Sequence, residues 1–286
     1  MVTQTQSVAG VVQKVKDLAV LPQVVHQIIH LTSNPNASAK DLERLISIDQ
    51  GMSTRVLNTV NSAYYGFSRK IASIKDAVVL LGFKAVRNLA MTVSMFDLFV
   101  GKTDRQNLRR GKWWRHSIDT ALCARLIASQ VAGVSPDEAY TAGLLHDIGK
   151  PLLDRYGEAP YEQVEDLIAQ GVPELVAEQQ VYGCDHAAIG RAASLHWGFP
   201  EKLVEAIGCH HAESADGLQD APLTAVVVLA NHVAHLLRQP DTPDDWWFDL
   251  PAWIIETLHL TPQQLQSLYL GCEVEIQSSP MAALGR

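Results

Sequence analysis

Adjacent histidine and aspartate residues near the middle of the chain are the first that could do chemistry. His146 and Asp147 lie in the run LLHDIGK, residues 144–150, and Lys150 follows the aspartate by three positions. Imidazole nitrogens together with a carboxylate oxygen are ligands that divalent transition metals accept readily. The run therefore indicates a metal site, and the residues around it must decide whether the site is active or kept for another purpose.

Histidines are concentrated in one part of the chain. Eight of the 11 lie between residues 116 and 235. An all-helical metal site needs imidazoles and a carboxylate from several helices that converge on one point. The candidate ligands are His116, His146, Asp147, His186, His210 and His211. This mixed nitrogen and oxygen set suits one or two ions of iron, manganese, zinc or nickel, and the sequence does not choose among them.

Adjacent ligands need an irregular backbone, because neighbouring side chains lie about 100° apart on a regular helix. Pro151 has no N–H and cannot bond the carbonyl of Asp147, so the helix should break near His146. Gly208 weakens the helix before the pair His210 and His211 in the same way. The alternative for this second pair is a polar helix end that faces water.

The elements that must position these ligands are predicted to be helices, so the fold class is all-α. Four helix starts carry capping signatures: Ser38 with Asp41, Ser73 with Asp76, Ser135-Pro136-Asp137-Glu138 and Thr261-Pro262-Gln263-Gln264. The apolar run 223–237 is long enough to be a buried helix rather than a strand. A multi-helix bundle is expected.

Two polar segments suggest boundaries within the chain. Residues 101–112 are charged and bounded by glycines, and residues 238–245 are rich in proline and acid. The stretch 101–115 has six basic residues and one acidic residue, and we interpret it as a solvated linker face. Nucleic-acid binding through this stretch is a weaker alternative, because the chain carries a net charge of −8.

The cellular setting is predicted to be the cytoplasm. No apolar run reaches the roughly 18 residues of a membrane span, and the first residues lack the features of a signal peptide. The four cysteines are far apart and form no CxxC pair, which favours reduced thiols over a disulfide framework. Trp246, Trp247 and Trp253 in the last segment are predicted to lie in the core or at an interface.

Four motifs occur in the order WWRHSIDTALCARLIA, AYTAGLLHDIGK, DHAAIGRAASLHWGFPEKLVEAIGCHH and VVVLANHVAHLL, preceded by NSAYYG at 61–66 and SIKDAVVLLG at 73–82. Together these motifs resemble the HD superfamily of metal-dependent phosphohydrolases and, more closely, its HDOD relatives in bacterial signalling. The resemblance covers about residues 14–235. It implies a tail over 1–13, an HDOD domain over 14–217 with a helical lobe (14–100) and an HD-like lobe (113–217), and C-terminal helices over 218–286 that complete and pack on the HD-like lobe.

The resemblance also implies a ligand set. His116, His146 and Asp147 match ligands of a first ion, His186, His210 and His211 match those of a second, and Lys150 matches a lysine that faces phosphate. The fourth ligand of the first ion should be an aspartate, but Asn231 stands there. Its amide oxygen carries no charge, so metal affinity should fall. The glycine-tyrosine-proline signature of the cyclic-dinucleotide hydrolases is also missing after His211.

Two functions follow from the resemblance. The first is a signalling module that binds other proteins and retains a metal-capable site. The alternative is a metal-dependent phosphohydrolase or phosphodiesterase that acts on a nucleotide or cyclic dinucleotide, with Asp147 and Lys150 as catalytic residues. A third interpretation, without metal, is that the histidines persist in a former active site by hydrogen-bonding one another.

Overall fold

The computed structural model describes residues 23–33, 36–62, 65–100, 104–239 and 245–279, together with the single residues 10 and 13. Every regular element in these ranges is a helix, and they contain no strand. The all-α prediction is therefore confirmed. None of the described helices is both long and apolar enough to cross a membrane.

The described part of the first lobe contains five helices around an apolar core. They are α1 (Gln23–Ser33), α2 (Ala39–Ile48), α3 (Gln50–Val60), α4 (Ile74–Leu81) and α5 (Phe83–Val100). The predicted caps are present: Ser38 forms a capping box with Asp41, and the Ser73 side chain accepts a bond from the Asp76 amide. Helix α5 also packs against the helices that follow it.

The second lobe contains the helices that carry the candidate ligands. They are α6 (Asp104–Gln130), α7 (Pro136–Leu145), α8 (Gly149–Tyr156), α9 (Glu162–Ala169), α10 (Glu174–Tyr182), α11 (His186–His196), α12 (Glu201–Gly208) and α13 (Ala221–Leu236). The long helix α6 packs along α7 and α13, and α11 packs on α8 and α12. Residues 223–237 are helical up to Leu236, as predicted.

The C-terminal segment packs on this lobe. It consists of a 3-10 helix (Trp246–Asp249), α14 (Ala252–Leu258) and α15 (Pro262–Ser278). Helix α14 contacts α13, and α15 contacts α6. Trp246 and Trp253 are buried, and the Trp253 indole donates a hydrogen bond to the Ala212 carbonyl. The Thr261 capping box is present as predicted.

The interpretation of 101–115 as a solvated linker was wrong for the part that the structure describes. Helix α6 begins at Asp104 and continues without a break, while residues 101–103 lie outside the described residues. Arg109 and Arg110 are held by Asp154, at 2.7 and 2.5 Å. A carboxylate from another helix thus neutralises charges that the local sequence presents as solvent-facing.

The predicted cap at Ser135 was also wrong. Its side chain makes no capping bond, although Pro136 does occupy the first turn of α7. Glu138, the acidic residue of the predicted box, pairs instead with Lys202 of α12 at 2.5 Å. Asp137 pairs with the buried Arg87 of α5 at 2.6 Å. Partners distant in sequence therefore hold both carboxylates, and the pair with Arg87 joins the first lobe to the second.

Two glycines allow close backbone approaches beside the candidate site. A Cβ atom on Gly149 would lie 1.9 Å from the carbonyl oxygen of His186, and one on Gly143 would lie 2.9 Å from the Cα of Ala121. These approaches bring α8 against the start of α11 and α7 against α6. Only glycine fits at such distances, so the two glycines fix how near the ligand-bearing segments can lie.

We expect Gly149→Ala to lower the free energy of unfolding by roughly 3 kcal/mol, because the added methyl group forces α8 away from the backbone of α11. Gly111→Ala is the matched control. No atom lies within 4 Å of its added Cβ, and alanine in α6 should raise the free energy of unfolding by up to about 1 kcal/mol. Urea denaturation followed by circular dichroism measures both. Equal stability of the two variants would contradict the close approach.

Candidate metal centre

The HD pair lies in a turn between two helices. Helix α7 ends at Leu145 and α8 begins at Gly149, and the amide of Lys150 donates to the Asp147 carbonyl at 3.0 Å. The predicted break is therefore present, but Pro151 lies in the first turn of α8 rather than at the end of α7. Proline is well tolerated there, because an N–H in the first turn has no partner within the helix.

The second pair also follows a helix end. Helix α12 ends at Gly208, and His210 and His211 come directly after it. The imidazole of His210 is buried and points inward, and its ring centroid lies 4.9 Å from that of His146. The two irregular segments thus meet, and the alternative of a purely water-facing helix end does not hold for His210.

Asp147 is the centre of the arrangement and is only 1% exposed. Its Oδ1 atom lies 3.2 Å from His186 Nε2 and 3.5 Å from His210 Nε2. Its Oδ2 atom lies 3.4 Å from His146 Nε2 and 3.8 Å from His116 Nε2. Each carboxylate oxygen therefore faces a different group of imidazoles, which is the geometry of a carboxylate that could bridge two ions.

The ligand atoms form two overlapping groups in which all lie within 4.8 Å of one another. The first group is His116, His146 and Asp147, and the second is Asp147, His186, His210 and His211. These are the groups that the resemblance implied for two ions.

Hydrogen bonds behind the imidazoles set their orientation. Three Nδ1 atoms each lie 2.7 Å from an acceptor: His146 from the Gly143 carbonyl, His210 from the Ile207 carbonyl and His186 from the Glu178 carboxylate. An Nδ1–H that donates to a carbonyl leaves Nε2 with a lone pair. His146 and His210 therefore direct lone pairs at the carboxylate of Asp147.

This arrangement places hydrogen-bond acceptors opposite one another, with the imidazole lone pairs facing the carboxylate oxygens of Asp147. Both oxygens of Asp147 and Nε2 of His146 are buried and have no hydrogen bond of acceptable geometry. A buried polar atom without a partner costs about 1–3 kcal/mol, and more when it is charged. A cation among these atoms would satisfy all three at once, so the donor set fits a metal ion.

The protonation states agree with this donor set. Burial lowers the pKa of His210 to about 4, and burial together with His146 holds the pKa of His116 well below its usual range. Burial would raise the pKa of Asp147, but His146 and Lys150 outweigh it and hold that pKa well below its usual value. At neutral pH His116 and His210 are therefore neutral imidazoles, and Asp147 is an ionised carboxylate.

His186 differs from the other imidazoles. Burial opposes its protonation, yet Glu178 and Asp147 raise its pKa to about 9. The Glu178 carboxylate is fully buried and also accepts bonds from the Tyr161 hydroxyl and the His186 amide, at 2.7 and 2.8 Å. A proton on His186 Nε2 would lie against Asp147, and a metal ion bound by His186 would have to displace it.

Asn231 occupies the position that the resemblance reserved for an aspartate. It lies on α13, is 7% exposed, and its Oδ1 atom is 2.9 Å from His116 Nε2. The amide oxygen is therefore placed to share an ion with His116, but it contributes no charge. His235, four residues later on the same face, stacks on His116 with ring centroids 4.2 Å apart.

Lys150 is held between two carboxylates. Its Nζ atom lies 3.0 Å from Asp147 and 3.0 Å from Glu174, and despite burial these partners raise the pKa of the lysine. Lys150, Glu174 and His116 form part of the wall of a cavity of about 790 Å³. The centre therefore communicates with a space that can admit a small molecule.

The structure brings together all seven predicted ligands, including Asn231, and places Lys150 beside them. Sequence analysis did not identify Glu174, Glu178, Tyr161 or His235. The four-residue spacing from Asn231 to His235 could have indicated a shared helix face. The two glutamates carry the same spacing on α10, but their partners lie on other helices and become apparent only in the fold.

Comparisons with known proteins agree with the fold. An uncharacterized protein of Treponema pallidum (strain Nichols) is 26% identical over 275 residues, which are 93% of this chain and 52% of that protein. The chain thus spans about half the length of this relative. The crystal structure of an HDOD domain protein of unknown function from Geobacter sulfurreducens is 25% identical, with a TM-score of 0.79 and coverage of 99% and 98% of the two chains.

A protein from Shewanella amazonensis SB2B, provisionally named a phosphohydrolase, shares the fold as well. It is 24% identical, with a TM-score of 0.73 and coverage of 96% of each chain. The HDOD domain profile matches residues 18–213, which is more than half of the sequence. The chain therefore belongs to the HDOD domain family.

Proposed function

We propose that this chain is a regulatory HDOD protein that acts through contacts with other proteins and holds one or two divalent transition-metal ions around Asp147. The observation that carries the metal part is the buried carboxylate of Asp147, whose oxygens have no hydrogen bond of acceptable geometry and whose Oδ2 atom faces the lone pair of His146 Nε2 at 3.4 Å. Such a carboxylate is costly to bury unless a cation compensates it. Lys150 supplies one positive charge, but it approaches only Oδ2.

The residues fit such ions in number and type. His116, His146, Asp147 and Asn231 would hold one ion, and His186, His210, His211 and Asp147 would hold the other. A bound divalent ion would act as a Lewis acid and lower the pKa of a water molecule. Glu178 would keep Nε2 of His186 directed at the centre, because its carboxylate occupies Nδ1.

Metal content tests this proposal directly. Protein purified without chelators should contain at least one iron, manganese, zinc or nickel ion per chain by elemental analysis. The double variant His146→Ala with Asp147→Ala should lose it, because both groups of ligand atoms include Asp147.

His196→Ala is the matched control, since His196 is exposed at the end of α11, the helix that begins with His186. This variant should keep the metal content of the wild type. A wild-type protein that is folded by circular dichroism but contains no transition metal would rule out the metal part of the proposal.

Contacts with protein partners are supported by family membership and by the surface of the first lobe. The side chains of Ile48 on α2 and Val79 on α4 are 75% and 76% exposed. Large apolar side chains that contribute nothing to the core often mark interaction surfaces when they occur together. The described residues of the first lobe also contribute no ligand to the candidate metal centre, so this surface is available for another role.

A double variant Ile48→Lys with Val79→Lys should lose any protein that co-purifies with the wild type from its own host, while metal content and melting temperature stay unchanged. The exposed pair Leu270 and Val274 on α15, changed to lysine in the same way, is the control for added charge. Co-purification that survives the first double variant, or a wild type that purifies alone under crosslinking, would count against this surface.

Phosphohydrolase activity is a second candidate, and the cavity beside the centre favours it. Four basic side chains line this cavity, namely Lys112, Arg115, Lys150 and Arg238, against one acidic side chain, Glu174. A phosphate group in the cavity would meet positive charge next to the metal ligands. The provisional name of the Shewanella amazonensis neighbour is consistent with this chemistry.

Asn231→Asp tests the second candidate. The added carboxylate should raise metal affinity roughly tenfold or more, since ligand charge strengthens cation binding. With manganese or iron, the variant should also cleave bis(p-nitrophenyl) phosphate faster than the wild type. Asn58→Asp adds the same charge at an exposed position of α3 and should change neither quantity. If neither the wild type nor Asn231→Asp shows turnover with any of the four metals, the regulatory function stands alone.

A further inference from the structure

Two arginines converge on one buried carboxylate at the wall of the cavity. Asp119 of α6 is fully buried. Its Oδ1 atom accepts a hydrogen bond from Arg115 Nε at 3.0 Å, and its Oδ2 atom accepts one from Arg238 Nε at 3.0 Å. Arg238 Nη2 donates to the same Oδ2 atom. None of these three residues belongs to the metal centre.

Among the described residues that line the cavity, basic side chains outnumber acidic ones. One carboxylate faces two guanidinium groups, and Lys112 adds a third positive charge to the same cavity wall. The acidic residue that lines the cavity, Glu174, is engaged by Lys150 at 3.0 Å. An excess of positive charge inside a concave, partly desolvated space attracts anions more strongly than the same charges would on an open surface.

Asp119 also orients the two arginines. It engages the Nε edge of each guanidinium, and a planar guanidinium held in this way loses little further freedom when it binds an anion. Arg238 remains accessible, with its side chain 49% exposed. A purely structural ion pair between α6 and the residues after α13 would not need two arginines that also line a cavity.

The same cavity reaches the metal centre. Its lining includes His116 and Lys150 of the metal centre together with Arg115 and Arg238. A volume of about 790 Å³ lies within the usual range of small-molecule sites, roughly 300–1,000 Å³. Trp113 contributes an aromatic surface to the wall. The space therefore borders both the metal centre and the two arginines, so one ligand in it can contact residues of each.

We propose that Arg115 and Arg238 form an anion subsite, so that the cavity selects a small molecule with two separated phosphate groups. One phosphate would lie at the metal centre and the other at the arginines. Binding of the first phosphate rests on the proposed metal site, whereas the arginine subsite does not depend on it. The ligand class is a bisphosphorylated nucleoside or a molecule with the same spacing of charge.

Adenosine 3′,5′-bisphosphate and AMP are matched probes, because they differ by one phosphate group. Calorimetric titration of manganese-loaded wild type should show at least roughly tenfold tighter binding of the bisphosphate, as expected for added charge-assisted hydrogen bonds. Arg238→Gln should bring the ratio of the two dissociation constants close to one. Arg125→Gln should leave it unchanged, since Arg125 lies on α6 but pairs with Glu275 away from this cavity.

Arg238→Gln retains Arg115 as a partner for Asp119, so the fold should survive, and melting temperature checks this. A wild-type ratio near one, or a ratio that Arg238→Gln leaves intact, would overturn the subsite. Metal content is measured on the same samples. In protein without metal, Arg238→Gln should still weaken binding of the bisphosphate. If binding weakens, the arginine subsite stands whatever the metal content is. If binding does not weaken, the subsite fails, and the measured metal content alone decides the metal proposal.

Discussion

The carboxylate of Asp147 is the group on which the rest of the centre depends. It is ionised and almost completely buried, and such a group costs several kcal/mol unless other charges compensate it. Lys150 and the proton that His186 retains supply part of this compensation. The arrangement of the surrounding helices follows from the need to bring these groups within about 4 Å of two oxygen atoms.

That need explains several features that otherwise look unrelated. Gly149 and Gly143 permit backbone approaches that no larger residue allows, and these set the distances between the ligand-bearing segments. Glu178 is buried, pairs with His186, and accepts three hydrogen bonds that hold His186 and Tyr161. Bonds of this kind behind a ligand keep it oriented before any ion arrives, which reduces the entropy that binding must overcome.

The sequence predicted the helical fold, and the candidate ligands that it indicated lie together in the structure, because both depend on local signals. Capping residues and apolar periodicity are local, and the HD and HH pairs are adjacent in the chain. The predictions for residues 104–112 and for Ser135 were wrong for the opposite reason, because contacts with residues distant in sequence determine the structure there. Arg109 and Asp137 appear solvent-facing in sequence, but carboxylates or guanidinium groups from distant helices bind them. Sequence analysis missed the role of Glu178 and the pairing of Asp119 with Arg238 for the same reason, because the partners of these residues lie outside their own helices.

Asn231 affects the charge balance of the centre because its amide adds no negative charge. Two divalent ions at this centre would leave a large positive excess, because Asp147 is the only carboxylate among the proposed ligands and the amide at 231 adds no charge. A second carboxylate at this position would reduce that excess, and without it an anion from the cavity is the remaining source of negative charge. Ions and anionic ligand would then stabilise each other, and this coupling is necessarily reciprocal. An asparagine in place of a carboxylate would thus make occupancy of the proposed metal centre depend on what the cavity binds, which is a property suited to a sensor.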